Sequence, residues 1–389
     1  MSKNKRGENT ICTHTGEVKD TAFKGAVSPI FMASSYEFID VDIKRYPRYF
    51  NTPNQESLAK KIAALEHAES AMIFTSGMAA VSTTLLAFLS AGDHIVLQKD
   101  IYGGTRNLVE AQFDRYNIEY TFTEGLQVDD FRNCIKPNTK LIYIETPSNP
   151  LLKLVDLEAI ANLAKANGLL SVIDNTFATP IIQKPIDFGI DVVIHSATKY
   201  FGGHSDISAG AVATKQEHID TIWNLAKNLG GNLSDFMVWM LERSMKTLAV
   251  RVKAQQKNAK KISKILSKNK AISRVYYPGL KSHPDYKLAK KQMNGFGAMM
   301  SFDLVEDLDA EQFLKSLQLI KPSMSLAGVE STMILPAMTS HALLTPEDRA
   351  AQGIKDGLIR FSVGLEEVDD LVNDIEQAII AVSKLSLVK

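Results

Sequence analysis

A lysine, a carboxylate and two hydroxyls stand just beyond short apolar runs, where their types and spacing could do chemistry. The run DVVIH (191–195) leads into Ser196-Ala197-Thr198-Lys199-Tyr200 and then Phe201-Gly202-Gly203-His204. LLSVI (169–173) leads into Asp174-Asn175-Thr176, and LIYIE (141–145) into Thr146-Pro147-Ser148-Asn149-Pro150. A lysine that follows a buried strand loses part of its hydration, which favours the neutral amine. A neutral amine can attack an aldehyde and form a Schiff base. Ser196 and Thr198 put two hydroxyl donors two residues apart, a clamp suited to phosphate. Asp174 can hold a proton on a ring nitrogen and keep that ring cationic.

An amine for an aldehyde, a carboxylate for a pyridinium and donors for a phosphate are the three needs of pyridoxal phosphate. A fourth feature fits an anion. Thr75-Ser76-Gly77-Met78-Ala79-Ala80 is a small turn feeding a helical segment, where free backbone N–H groups and the helix dipole favour negative charge. Gly77 lets the backbone approach closely. Taken singly, each residue has a plain alternative: an Asp after a strand most often caps a helix, a lysine there usually faces solvent, and Tyr102 could simply pack. The ordered conjunction carries the chemistry.

These groups need a scaffold, and the chain has the elements for one. At 389 residues it is long enough for two or three domains. Hydrophobic residues make up 45% and charged ones 23%, enough to bury large cores. Runs such as LIYIE and LLSVI are apolar on both faces, as in strands covered by helices in a parallel sheet. Expected strands are 94–98, 141–145, 169–174, 192–196 and 210–214, with helices over 105–116 and 157–167. In such a sheet ligands bind beyond the carboxyl ends of the strands, where all three polar endings fall. From Glu56, a helical stripe of Leu58, Ile62 and Leu65 is expected, with Lys60, Lys61 and Glu66 on the surface. Leu248, Val252, Ala259, Ile262 and Ile265 mark a long helix whose lysine-rich face reads as solvated. Strands over 299–304 and 358–363 and a helix over 368–382 complete a smaller α+β domain. The expected division is an irregular N-terminal arm (1–55) with a disordered first ten residues, a large cofactor-binding domain (56–245) and a C-terminal domain (246–389).

Composition also excludes. Lys plus Arg and Asp plus Glu each number 44, so the cation excess of a nucleic-acid binder is missing. Cys12 and Cys134 can form neither a disulfide framework nor a clustered zinc site, and no metal is expected. No apolar stretch reaches the roughly 18 residues of a membrane span, and no apolar core follows the basic start MSKNKRGENT. A cytoplasmic protein is expected. A nicotinamide fingerprint fails, because Gly295-Phe296-Gly297 is followed by Met300 where a third glycine should stand.

The motifs DVVIHSATKYFGGHSD, FTSGMAAV, YGGT, ETPSNP, DNTFATP and EDRAAQGIKDGLIRFSVGLEEVDDL resemble those of the Cys/Met-metabolism, or trans-sulfuration, family of pyridoxal-phosphate enzymes. That family includes cystathionine γ-synthase, cystathionine γ- and β-lyases, methionine γ-lyase and O-acylhomoserine sulfhydrylases. The resemblance runs from about Asn9 to the C-terminus. It implies an α/β, fold-type-I architecture: a mostly parallel seven-stranded sheet plus a smaller C-terminal domain. It also implies dimers with shared active sites, paired into homotetramers, that act on a small amino-acid substrate. By motif, Lys199 would bond the cofactor aldehyde and carry protons, Asp174 would pair with the pyridinium nitrogen, and Tyr102 would stack on the ring. The phosphate would be held by Gly77 and Met78 amides, Ser196 and Thr198 hydroxyls, and Tyr46 and Arg48 of a neighbouring subunit. Asn149 would approach the ring hydroxyl and the substrate, and Ser325 would orient the substrate carboxylate. Arg360 resembles the arginine that grips this carboxylate, and an arginine within the apolar run LIRFSV needs an anion to justify burial.

The chain departs from the family at a few places. The proline of the arm motif, here YPRYFNTPN, lies one residue late, at Pro53. Met324 precedes Ser325, and Arg45 precedes Tyr46, where several relatives of the cystathionine type carry acids. Gly104 stands where methionine γ-lyases typically have cysteine. The expected activity is elimination or replacement at Cβ or Cγ of a sulfur-containing or O-acylated amino acid, foremost cystathionine-type carbon–sulfur cleavage or γ-synthesis. Methionine γ-lyase and O-acylhomoserine sulfhydrylase are the alternatives within the family. An aminotransferase or a non-catalytic cofactor-binding regulator are the alternatives outside it.

Overall fold

The computed structural model describes residues 6–342 and 344–386. Among them, the larger sheet contains β1 (Ser70–Phe74), β2 (His94–Leu97), β3 (Glu119–Phe122), β4 (Thr139–Glu145), β5 (Leu170–Asp174), β6 (Val192–His195) and β7 (Gly210–Thr214). Their order is β1-β7-β6-β5-β4-β2-β3. The run from β6 to β3 is parallel, and β7 lies antiparallel to both of its neighbours. Strands β6 and β7 are buried throughout, and β4 everywhere but Lys140. That is the burial of a sheet covered on both faces. Ile142, Ile144, Ile173 and Val193 pack with Ile160, Leu163 and Ala164 of helix Leu157–Ala166. Each of these buried isoleucine, valine and leucine side chains contributes about 1.5–3 kcal/mol of hydrophobic free energy.

A smaller antiparallel sheet holds β8 (Ile272–Tyr276), β9 (Met299–Leu304), β10 (Thr332–Ile334) and β11 (Ile359–Ser362) in the order β10-β11-β9-β8. The chain divides into two compact units. One comprises residues 1–99, 104–145 and 155–250; the other comprises 100–103, 146–154 and 251–389. The loops after β2 and β4 therefore belong to the second unit, although both strands belong to the first.

Several elements differ from expectation. The arm is not wholly irregular: α1 (Glu8–His14) is helical, with Cys12 buried. It is anchored by Lys61, whose ammonium donates to the Cys12 carbonyl at 2.5 Å. Lys61 and Glu66 lie on α2 (Pro53–Glu66) and are fully buried, whereas Lys60 is exposed. A hydrophobic stripe shows which face packs, but it cannot show that distant polar groups will meet the flanking positions. Burial pushes the Lys61 pKa down, and Glu242 acts against that shift. In the long helix Leu248–Leu266, Ile265 is exposed and Leu266 is buried in its place, while the lysine face is solvated as expected.

His94 is fully buried at the start of β2. Its Nδ1 lies 2.7 Å from the Thr139 hydroxyl on β4, and its Nε2 lies 2.9 Å from the Thr121 hydroxyl on β3. Burial, aided by Lys136, lowers its pKa from 6.5 to about 4. The unfolded chain therefore binds a proton here at pH values where the folded chain does not. Stability should fall as pH drops from 6.5 towards about 4. Denaturant unfolding across that window should show the loss, and His94→Gln should flatten it.

Candidate active site

Strands β4, β5 and β6 run in register, with Glu145 opposite Asp174 and Asp174 opposite Ile194. Three polar endings therefore leave the sheet at one level. The Thr176 amide donates to Asp174 Oδ1 at 2.9 Å, and the Ser196 amide donates to the Thr176 hydroxyl at 2.8 Å. Thr176 thus ties the end of β5 to the end of β6. Burial pushes the Asp174 pKa up, while the Thr176 bonds and the charges of His195 and Lys199 work against it. A cation placed against this carboxylate would favour its ionised form further. Lys199 is half-buried in a tight turn after β6. Its amide donates to the Ser196 carbonyl at 3.0 Å, and its carbonyl accepts from the Gly203 amide at 2.7 Å.

The anion end is built on α3 (Gly77–Phe88). Ser76 caps this helix by accepting from the Ala79 amide at 3.0 Å, and Ala80 makes the first backbone bond, to the Ser76 carbonyl. The Gly77 and Met78 amides precede that bond and lie among the free donors of the first turn. Gly77 sits directly against Ser196. A Cβ added there would stand 2.8 Å from Ser196 Cβ and 3.0 Å from its Oγ. Gly210 plays a similar part on β7, where an added Cβ would meet the Ser76 carbonyl oxygen at 2.0 Å. The Thr198 hydroxyl donates to the Ala209 carbonyl at 3.1 Å and accepts from the Ala209 amide at 3.0 Å. Its one proton must leave that carbonyl before it can serve an anion. An amine, a carboxylate that can accept from a protonated ring nitrogen, two backbone amides and the Ser196 hydroxyl are groups that fit pyridoxal phosphate.

Behind these residues lies a buried network that sequence reasoning missed. Glu66 Oε1 accepts from His195 Nε2 at 2.5 Å and from Asn175 Nδ2 at 3.2 Å. Asn175 and Gln183 exchange further bonds of 3.1 Å. A histidine closing the apolar run DVVIH was the available signal, but its partner sits 129 residues earlier.

Of the arm residues, Tyr46 and Arg48 are exposed. The Arg48 guanidinium lies 5.5 Å from the Tyr46 ring and 5.6 Å from the Tyr49 ring, and it donates to the Lys227 carbonyl. Arg45 instead pairs with Glu56 at 3.1 Å and donates to the Asn51 carbonyl. The displaced Pro53 is the first residue of α2, behind a Thr52–Gln55 capping box. Pro53 thus occupies the first helical position, where its missing N–H costs no helical hydrogen bond.

Within the second unit, Arg360 on β11 is buried. Its Nη1 donates to Asn149 Oδ1 at 3.1 Å and its Nη2 to the Ser325 carbonyl at 2.8 Å. Three of the expected substrate residues are thereby brought together. Ser325 and Ala327 adopt φ of 76° and 68°, left-handed conformations that cost a non-glycine residue about 1–2 kcal/mol. His341, also buried, has its pKa lowered to about 4 by burial and then by Arg360. Tyr102 is 45% exposed and Met324 71% exposed.

Residues 9–380 match the family model described as Cys/Met metabolism PLP-dependent enzyme. The chain belongs to that family. As a member, it is an enzyme that uses pyridoxal phosphate, and its two sheets have the fold-type-I architecture of its structural relatives. It is 43% identical to a cystathionine beta-lyase of Lactococcus lactis subsp. cremoris, over 94% of this chain and 97% of that one. It is 42% identical to an L-methionine gamma-lyase of Fusobacterium nucleatum subsp. polymorphum, over 97% and 99% of the two chains. Among solved structures, a cystathionine gamma-lyase from Lactobacillus plantarum complexed with L-serine superposes with a TM-score of 0.94 at 40% identity. That match covers 97% of this chain and all of the other. Among the described residues, no cluster of His, Cys, Asp or Glu could hold a metal ion, and no helix is long and apolar enough to cross a membrane.

Proposed function

We propose that this enzyme cleaves the carbon–sulfur bond of a sulfur-containing amino acid by elimination at Cβ or Cγ. The observation that carries the proposal is that Asp174 ends β5 opposite Ile194 of β6 and feels the charge of Lys199 in the turn that follows β6, in a chain that matches the family over 9–380. When bound, pyridoxal phosphate supplies an aldehyde for amines and a ring that accepts electrons from the substrate α-carbon. Lys199 holds the cofactor, then takes the α-proton on Nζ and returns one later in the cycle. Asp174 keeps a proton on the ring nitrogen. Gly77, Met78, Ser196 and Thr198 bind the phosphate. Asn149 approaches the ring hydroxyl, and Arg360, with Ser325 and Asn149 orienting it, grips the substrate carboxylate. Tyr102 stacks on the ring and delivers a proton to the departing sulfur.

Two observations favour a monoamino thioether such as methionine as a second substrate reading. Met324 is exposed, and Arg45 is committed to Glu56. Neither position offers a carboxylate to the distal ammonium of cystathionine. Incubating purified enzyme with cystathionine, methionine, cysteine and O-acylhomoserine, and scoring keto acid, ammonia and thiol, separates these substrates. Cystathionine turnover at least tenfold above methionine would reject the second reading. No keto acid from any of the four would reject carbon–sulfur cleavage.

The proposal extends to a homotetramer of dimers, located in the cytoplasm, in which residues 1–55 reach the neighbouring subunit. Phe23, Met32, Phe38 and Ile39 on the arm are 91%, 72%, 69% and 67% exposed. Such an apolar surface suits cover by a second copy. If Arg48 serves the neighbour's phosphate, mixing inactive Arg48→Ala and Lys199→Ala subunits should restore part of the activity. Mixed dimers without recovery would exclude a shared site.

A further inference from the structure

Glu66 ends α2 with no exposed surface. One of its carboxylate oxygens accepts from both His195 and Asn175. His195 immediately precedes Ser196, and Asn175 immediately follows Asp174. The Asn175 amide also donates to the Ile194 carbonyl at 2.9 Å, which joins the two strand ends directly. The His195 ring lies 4.6 Å from the Phe201 ring, two residues past Lys199. A hydrocarbon side chain could fill this space without the cost of desolvating a carboxylate. What the carboxylate adds is a side-chain junction between β5 and β6, a third link besides the Thr176–Ser196 bond and the Asn175–Ile194 backbone bond.

We infer that Glu66 is a positioning residue for the cofactor, setting the place of Asp174 relative to Ser196 through Asn175 and His195. In the proposed assignment Asp174 and Ser196 serve the ring nitrogen and the phosphate, at opposite ends of one rigid molecule. A loosened junction therefore costs cofactor affinity even when the chain stays folded. The inference rests on the assignment of Asp174 and Ser196 to the cofactor.

The test uses full-length protein stripped of cofactor and titrated with pyridoxal phosphate, reading the dissociation constant and the visible absorbance band. Melting of the apoprotein is measured separately. By analogy with outer-shell partners of metal ligands, Glu66→Leu should raise the dissociation constant about 10–100-fold. Glu66→Gln, which retains an acceptor oxygen, should raise it less. A purely structural role would lower apoprotein melting but leave the dissociation constant and band unchanged, and that result would overturn the inference. Should Glu66→Leu fail to fold, Glu66→Gln and Asn175→Ala decide by the same readouts, and unchanged affinity in both would overturn it. Asp174→Asn serves as the control. If it changes the band while the Glu66 variants do not, only the role of Glu66 fails. If Asp174→Asn changes neither band nor affinity, the assignment of Asp174 fails, and the inference with it.

Discussion

Lys199→Ala should abolish turnover and the visible absorbance of lysine-bonded cofactor while leaving the fold intact. In the proposed assignment two roles end with this one side chain: the nucleophile that bonds the aldehyde, and the base that moves the α-proton. Positioned proton transfer alone contributes about 10²–10⁴-fold, so losing both roles should cost roughly 10⁴-fold or more. The fold should tolerate the change, because Lys199 is only half-buried and its turn is closed by backbone bonds to Ser196 and Gly203. Far-ultraviolet circular dichroism, the absorbance spectrum and keto-acid release test this together. A folded variant with an unchanged spectrum would place the cofactor on another amine.

Arg360→Ala should reduce kcat/KM by roughly 30- to 4,000-fold, since truncating one side of a buried, hydrogen-bonded charge pair costs about 2–5 kcal/mol. The guanidinium is already held by Asn149 and the Ser325 carbonyl. Its planar fork is thus oriented before a carboxylate arrives. Arg360→Lys keeps the charge and loses the fork, so it should recover only part of the loss. A substrate analogue without the α-carboxylate separates this role from a structural one. With that analogue, the difference between wild type and variant should largely disappear. An equally large deficit would mean that Arg360 acts on something other than the carboxylate.

The two residues are revealed by the sequence for different reasons. Lys199 and Asp174 follow apolar runs whose strands the structure contains, β6 and β5, with ends shifted by a residue at most. Strand ends are legible because a doubly covered strand must be apolar on both faces, and polarity then marks where it leaves the sheet. Arg360 is legible for the converse reason, as a charge inside an apolar strand. β1, β3, β8 and β10 were not anticipated. β3 has an exposed Glu119 followed by half-buried residues, and β8 is exposed at Ser273 and Arg274, so neither shows a continuous apolar run. β10 is only three residues long. The antiparallel setting of β7 was likewise hidden, because an apolar run carries no direction.

Composition, spacing and the order of the polar endings point by themselves to the proposed chemistry: an amine, an acid and anion donors, each tied to a local element whose burial pattern the chain spells out. Only the tertiary structure decided what supports them. Glu66 and Lys61 look like surface charges from the periodicity of α2, yet Glu66 closes a network with His195 and Asn175, and Lys61 donates to the Cys12 carbonyl. Helical periodicity reports the position of a side chain around its own axis. Whether a charge at the edge of the apolar stripe meets water or a buried partner depends on segments far away in the chain, and only the folded chain brings those together.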